Sequence, residues 1–423
     1  MVSLIHGFIH HKETIYNFLW RVVQILGKQG TTFFIFLVCA RQLSPYDFGI
    51  YNYVFSTIFL LIIFSDFGIS IATSKFTAEY SASDSEKLKL LLFNSAMLII
   101  VLSGLIALPL FFFWDVFYQY RYILYCIPLL FLVPLTSLLD GFFRGLKQFR
   151  SVSLVYLISA GISLPLFYVL ISEFGLHGAF ISQNVYYLLL VILLALHSRR
   201  KKIPFRAKLN IPIVRKVVGY SIVIGLADIG LFLYTRADIL ILGHYNLIEE
   251  IGYYEIINRM FLLVIMPAQI LATVVAPNVT RNFTLKKYDS LQKNIRRDVL
   301  LLLVVGSAVA ISCFLLFPYL FKYVFGGYDM DTLVYLMNII IIIVPIRYFS
   351  TFLSIGYITP SGNAKISTVC LLFFGVVNIL LDFIFVEPFG VVGIIYATLI
   401  SQLLFIACKD TLFYFFVFKR KLI

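Results

Sequence analysis

Residues 198–216 read SRRKKIPFRAKLNIPIVRK, a stretch with eight Lys or Arg and no acid. On either side lies mostly apolar sequence. A bilayer core needs about 20 apolar residues per helix. Spans of that kind are expected near 17–40, 49–73, 88–113, 122–145, 151–172 and 176–197 before the stretch. After it they fall near 217–243, 250–276, 298–320, 332–357, 365–386 and 390–416. The basic stretch therefore reads as a strap at residues 198–216 between two similar lobes, 1–197 and 217–423. Read alone, RRKK would fit a localisation signal or an RNA patch. Its apolar surroundings argue against nucleic acid as a partner.

Composition supports a membrane protein. Hydrophobic residues make up 61% of the chain and charged residues 13%, about half the charged share of a soluble domain. Of the 34 Lys and Arg, only Arg41, Arg121 and Lys322 fall in connections on one side. Apart from six inside spans, the rest lie on the other, including the tail Lys419, Arg420 and Lys421. Positive charge collects in loops that stay in the cytoplasm, so both termini are expected there, with no cleaved leader. The five cysteines sit in or beside apolar spans without ligand spacing and read as packing residues. His6, His10 and His11 sit in a short N-terminal tail and read as a solvated amphipathic segment, so neither a metal site nor a cofactor is expected. GxSxG, HExxH, Walker A and CxxC patterns are missing, and so is a soluble domain large enough for catalysis.

The halves read as repeats. DFGIYNY (47–53) corresponds to EIGYYEI (250–256). Pro134 and Gly145 correspond to Pro345 and Gly356, both pairs eleven apart, and EFGLHGAFIS (173–182) corresponds to PFGVVGIIYA (388–397). With an even number of spans per copy, both copies cross in the same sense. The expected architecture is all-α: twelve transmembrane helices in two six-helix lobes, a pseudo-twofold axis along the membrane normal and a central cavity.

Charges within spans carry the chemistry, because a charge at mid-bilayer costs about 2.5–3.5 kcal/mol on insertion scales. Asn17, Arg21, Gln24, Lys28 and Thr31 recur at steps of four and three, one face of a helix. Arg21 lies near the cytoplasmic edge, where snorkelling competes with a cavity role; Lys28 lies near mid-span. Glu255 and Arg259 are four apart with the acid first, the favourable order for a helical pair, and are open to simple mutual neutralisation. Arg347 follows Pro345, which should kink its span. Asp140 and Arg144 look structural. Asp66 and Asp228 are open to two readings, carriers of a coupling proton or ion, or counter-ions to Lys28 or Arg236.

ARQLSPYDFGIYNYVFS (40–56), DFGISIATSKFTAEY (66–80), PLTSLLDGFFRGLKQF (134–149) and the FGxxG before the sixth span resemble the lipid-linked oligosaccharide flippases of the polysaccharide-export family. These are relatives of the MATE exporters and of the lipid II flippase in the MOP superfamily. The resemblance implies a MATE-like fold and a cationic cavity lined by Arg21, Lys28, Arg236, Arg259 and Arg347. Asp66, Asp228 and Glu255 are the candidates for ion or proton coupling. It also implies alternating-access export of undecaprenyl-diphosphate-linked O-antigen or capsule repeat units across a bacterial inner membrane, with membrane lipids and a polymerase of the same pathway as partners. The chain's end at Ile423, without two further helices, favours the export branch over lipid II flippases. Membrane potential favours outward movement of an anion by about 2.3 kcal/mol per charge per 100 mV. The alternative is a MATE-type cation-coupled drug antiporter, whose cavity would be acid-dominated. Acids and bases within these spans are equal in number, which weakens it. A membrane polymerase or ligase would need a long outer loop, and none is expected.

Overall fold

The computed structural model describes residues 20, 23–24, 27–112, 121–200 and 206–415, and in these the chain is helical nearly throughout. Backbone groups in hydrocarbon have no water to bond, so a spanning segment must satisfy them within itself, as a helix does. The helices are α1 (27–42), α2 (Pro45–Asp66), α3 (Ile69–Ser83), α4 (Ser85–Phe112), α5 (Tyr122–Tyr125), α6 (Leu129–Gly145) and α7 (Phe149–Arg200). They continue as α8 (Ile211–His244), α9 (Ile248–Thr284), α10 (Tyr288–Val324), α11 (Met330–Ile341), α12 (Val344–Leu353), a π-helical turn (Ser354–Ile358) and α13 (Ala364–Tyr414). Among the described residues, eight helices are long and apolar enough to cross a membrane, or nine if α11 and α12, bent by 50°, form one broken span. Twelve were expected.

Two of the eight are far longer than one crossing. At about 1.5 Å per residue, the 52 residues of α7 and the 51 of α13 would reach more than twice the bilayer's ~30 Å. Each is broken at one glycine, Gly175 (φ 54°, ψ −129°) in α7 and Gly390 (φ 56°, ψ −136°) in α13. Only glycine adopts this region without steric cost. In α7 the chain folds back, since Leu154 and Ile158 of one arm line the same groove as Leu193 and Leu196 of the other. In α13 the Ser401 hydroxyl donates to Asn378 across the fold. Both are helical hairpins. The two FGxxG segments matched in the sequence thus share one backbone conformation. Their second glycines also match: a Cβ on Gly178 would sit 1.9 Å from the Leu170 carbonyl oxygen, and one on Gly393 2.0 Å from that of Phe385.

The chain divides into two compact units. The first holds the described residues up to Leu43 and Val54–Ile229; the second holds Ser44–Tyr53 and the chain from Gly230 onward. In the first unit, α3 packs on α6 and α4. Ile69, Ala72, Phe76 and Tyr80 form its inward stripe, meeting Leu91 and Ile99 of α4 and Leu138 and Phe142 of α6. Lipid is as apolar as leucine, so helix association rests on close van der Waals fit and small residues. Gly141 and Gly145, a GxxxG pair on α6, supply it. A Cβ at either would come within 2.5–2.6 Å of the carbonyl oxygens of Ser70 and Ser74.

The described part of the basic stretch is fastened to this first unit. The Arg206 amide donates to the Lys89 carbonyl at 2.9 Å. Asn94 donates to the Lys208 carbonyl at 3.0 Å and accepts from the Asn210 amide at 2.8 Å. Lys216 pairs with Glu79 at 2.7 Å.

In the second unit, the start of α2 packs on the start of α9. A Cβ on Gly49 would meet the Ile248 carbonyl oxygen at 1.8 Å, and one on Gly252 the Pro45 carbonyl oxygen at 2.6 Å. Gly49 and Gly252 are the repeat-related glycines of DFGIYNY and EIGYYEI, so the two motifs meet at a shared crossing. Pro345 lies at the start of α12, after the break at Ile342 and Ile343, which places the expected kink. Asp329 caps α11 by accepting from the Thr332 amide at 3.0 Å, and these bonds hold its carboxyl below the usual range.

Candidate functional site

Charged side chains inside the helices gather in separate clusters, one in the first unit and three in the second. In the first unit, Gln24, Lys28, Asp66, Asp140, Arg144 and Tyr156 line a cleft of about 260 Å³. Gln24 donates to Asp140 at 2.6 Å, and Arg144 stands 4.0 Å from the same carboxylate. Lys28 is exposed and has no ion pair among the described residues. Asp66 ends α2 and accepts from the Ser70 amide at 2.9 Å and its hydroxyl at 2.7 Å. It thereby satisfies the first turn of α3 across the left-handed residues Phe67 and Gly68. Asp228 is close enough to repel Asp66, and neither is ion-paired among the described residues. Arg21 and Asn17, the outer part of the expected stripe, lie outside the described residues, as do the three N-terminal histidines and the C-terminal basic tail.

The tightest arrangement is in the second unit. Glu255 on α9 is fully buried, and Arg236 of α8 reaches it with Nη1 at 3.2 and 3.1 Å from its two oxygens. Arg259, one turn along α9, donates its Nε to Oε1 at 2.7 Å. The arginine side chains remain 28% and 27% exposed, so the buried carboxylate orients two partly accessible guanidinium groups. One negative and two positive charges leave a net positive site. Each guanidinium is a planar fork suited to carboxylate or phosphate oxygens. Sequence spacing identifies Glu255–Arg259; the fold adds Arg236. Glu255 serves both arginines as counter-ion.

Arg347, also in the second unit, lies on α12 and is partly exposed; its Nε is buried with no hydrogen-bond acceptor among the described residues. One turn on, Lys409 of α13 is buried and donates to the Ser350 hydroxyl at 2.9 Å, to the Ser350 carbonyl at 3.3 Å and to Ser354. It pairs with Asp410 at 2.8 Å. Ser354 opens the π-turn, where the regular ladder is interrupted, and Lys409 supplies donors there. The fourth cluster, Asp238, Asn378 and Asp382 with Tyr254, Thr398 and Ser401, is entirely buried. No sequence motif links its two acids, Asp238 and Asp382. The available signal was Asn378 and Asp382, four apart on one helical face.

Similarity to known proteins covers nearly the whole chain. The family model described as Polysaccharide biosynthesis protein matches residues 15–283, and the MatE model matches residues 224–384. The uncharacterized membrane protein MJ1375 of the archaeon Methanocaldococcus jannaschii is 25% identical over 415 residues, 93% of this chain and 95% of its own length. Among solved structures, an inward-facing multidrug resistance MATE family transporter of the MOP superfamily aligns at a TM-score of 0.75 and 15% identity, covering 92% of this chain and 97% of that one. The lipid II flippase MurJ in an inward closed conformation aligns at 0.67 and 15% identity, covering 94% and 86%. These structures share the fold, and the family match spans well over half the sequence. The chain therefore belongs to the Polysaccharide biosynthesis protein family, and its multi-pass helical fold is shared with the MATE transporter and the lipid II flippase.

Proposed function

We propose that the protein flips a polyprenyl-diphosphate-linked oligosaccharide, an O-antigen or capsule repeat unit, from the cytoplasmic to the outer leaflet by alternating access. The observation that carries the reading is the Arg236–Glu255–Arg259 triad. A diphosphate headgroup leaving water loses its hydration, and preoriented guanidinium groups offset that loss. Lys28 and Arg347 are further headgroup ligands in this reading, as is Arg21. Asp66 and Asp228, unpaired with cations among the described residues, are candidates for coupling.

In the same reading the two hairpins count as two spans each. With the broken span and α1, the chain then has twelve crossings, six on each side of the 198–216 strap. Both termini face the cytoplasm of a bacterial-type inner membrane. A polymerase of the same pathway receives the product.

The triad suggests a clean test. Removing one arginine leaves Glu255 paired with the other, so the fold is spared while the net positive charge is lost. Arg236→Ala and Arg259→Ala should each cut flipping of a fluorescent polyprenyl-diphosphate sugar in proteoliposomes by about tenfold or more, a loss of ~1.4 kcal/mol or greater. Lys28→Ala and Arg347→Ala should abolish polymer export in cells at unchanged protein level. Normal flipping in all four variants would overturn the reading. Export of a cationic dye instead would favour a MATE-type antiporter, toward which the MatE match points.

A further inference from the structure

The first unit carries a second recess beside the cleft around Asp140. Ile71, Ser74 and Lys75 lie on the side of α3 away from its inward stripe. Facing them are Arg144 near the end of α6, Lys147 in the following turn and Phe149 at the start of α7. Gly145 lets the end of α6 come this close, since a Cβ there would stand 2.6 Å from the Ser74 carbonyl oxygen. The recess holds about 670 Å³, and no acid lines it.

Its three cations are short of anions. Lys75 rests on aromatic rings, with Nζ 3.9 Å from the Tyr220 centroid and 5.3 Å from that of Phe76. Glu79, one turn along α3, is taken by Lys216 at 2.7 Å. Arg144 has the loose 4.0 Å approach to Asp140, and its Nε is buried with no acceptor among the described residues. Lys147, without an ion pair among the described residues, is left-handed at φ 57°. Its amide donates to the Arg144 carbonyl and the Gln148 amide to that of Phe143, both at 3.0 Å. Glycine is the residue favoured at such a helix end. A lysine there keeps a charge at the recess against backbone strain.

We propose that this recess binds the phosphate group of an anionic phospholipid, held by Lys75, Arg144 and Lys147. Ammonium and guanidinium donors suit phosphate oxygens. Ile71 and Phe149 border the cations, and Ile71 is 44% exposed. The recess therefore fits a molecule with an apolar body behind its phosphate, not a free anion. Nearby aromatic residues mark a membrane interface, where Tyr and Trp collect. Tyr220 lies under Lys75, and the Trp20 ring lies 5.6 Å from the Arg150 guanidinium carbon. On the orientation proposed above that interface is cytoplasmic, where anionic headgroups attract basic segments.

Arg144 also lines the cleft. A phosphate in the recess completes its bonding on one side and leaves Asp140 to Gln24 on the other. Lipid occupancy thereby sets the charge at the edge of the cleft. The bound lipid is a resident, not cargo, so this inference and the flipping reading can fail separately.

The test titrates full-length protein in detergent with phosphatidylglycerol or phosphatidylcholine. It reads the thermal midpoint and the lipid retained in native mass spectra. Phosphatidylglycerol should raise the midpoint saturably, and phosphatidylcholine should not. Lys147→Gly should keep or raise the lipid-free midpoint, because glycine relieves the backbone. It should still weaken phosphatidylglycerol binding about fivefold, the contribution of one basic side chain at an anionic surface. Lys75→Gln should weaken it similarly. Lys286, left-handed at φ 54° in the turn after α9 and outside the recess, is the control. Lys286→Gly should bind the lipid as wild type does. Equal responses to the two lipids, wild-type affinity in Lys147→Gly or Lys75→Gln, or an equal loss in Lys286→Gly would overturn the proposal. Displacement of the lipid by inorganic phosphate or by a polyprenyl diphosphate would overturn it too, assigning the recess to a free anion or to the cargo.

Discussion

The two units treat buried charge in opposite ways. In the first, Asp140 shares its carboxylate loosely, with Arg144 4.0 Å away and Gln24 at 2.6 Å, beside an open cleft that also exposes Lys28. In the second, Glu255 is sealed beneath two arginines, and Lys409 is enclosed with Asp410 and two serines. A charge beside water can relax when its partner is lost; a sealed one cannot. The contrast separates charges that tune a surface from charges the fold depends on.

The largest effect should come from Glu255→Ala. It strands two arginines and should cost about 3–5 kcal/mol, seen as loss of folded protein by size-exclusion chromatography. Lys409→Ala comes next, leaving the Asp410 carboxylate without its cation. It should lower the thermal midpoint clearly, by about 2–4 kcal/mol of stability. Gly141→Val forces α6 away from the Ser70 carbonyl and should cost about 1–3 kcal/mol, read by the same melt. Asp140→Ala should cost under about 1 kcal/mol, as for other partly exposed pairs. If Asp140→Ala proves as damaging as Glu255→Ala, the contrast between the units collapses.

The smallest expected effect is a pH dependence at Asp329. Its carboxyl is held below the usual range by bonds from Thr332, so its stabilising contribution is present above the unfolded pKa of about 3.9. That contribution fades as pH falls through the lower folded value. Melts of Asp329→Ala and wild type should therefore differ slightly near neutrality and converge in acid.

Local pattern revealed much of this molecule. FGxxG occurs twice in the sequence and makes the same left-handed glycine turn twice, because φ near +55° admits little else. Glu255 and Arg259 were readable as a pair because four residues make one helical turn. What stayed hidden depends on distance along the chain. Arg236 meets Glu255 only because α8 packs on α9. Asp238 and Asp382 lie on different helices, and no spacing rule links them. Lys409 was visible as a charge within a span, but its bonds to Ser350 and Ser354 depend on how α13 lies against the π-turn. Sequence periodicity tells which face a residue occupies; it does not tell which other helix that face will meet.

The single-residue reversals at Gly175 and Gly390 bear on how the chain enters its bilayer. A hairpin joined by one glycine has almost no polar connector to drag through hydrocarbon. Its two arms already cover part of each other's surface before any neighbour arrives. Such a pair suits insertion as one piece, with the ribosome delivering both arms before either must settle. Lengthening either turn with charged residues would then tax biogenesis more than it would disturb the finished transporter.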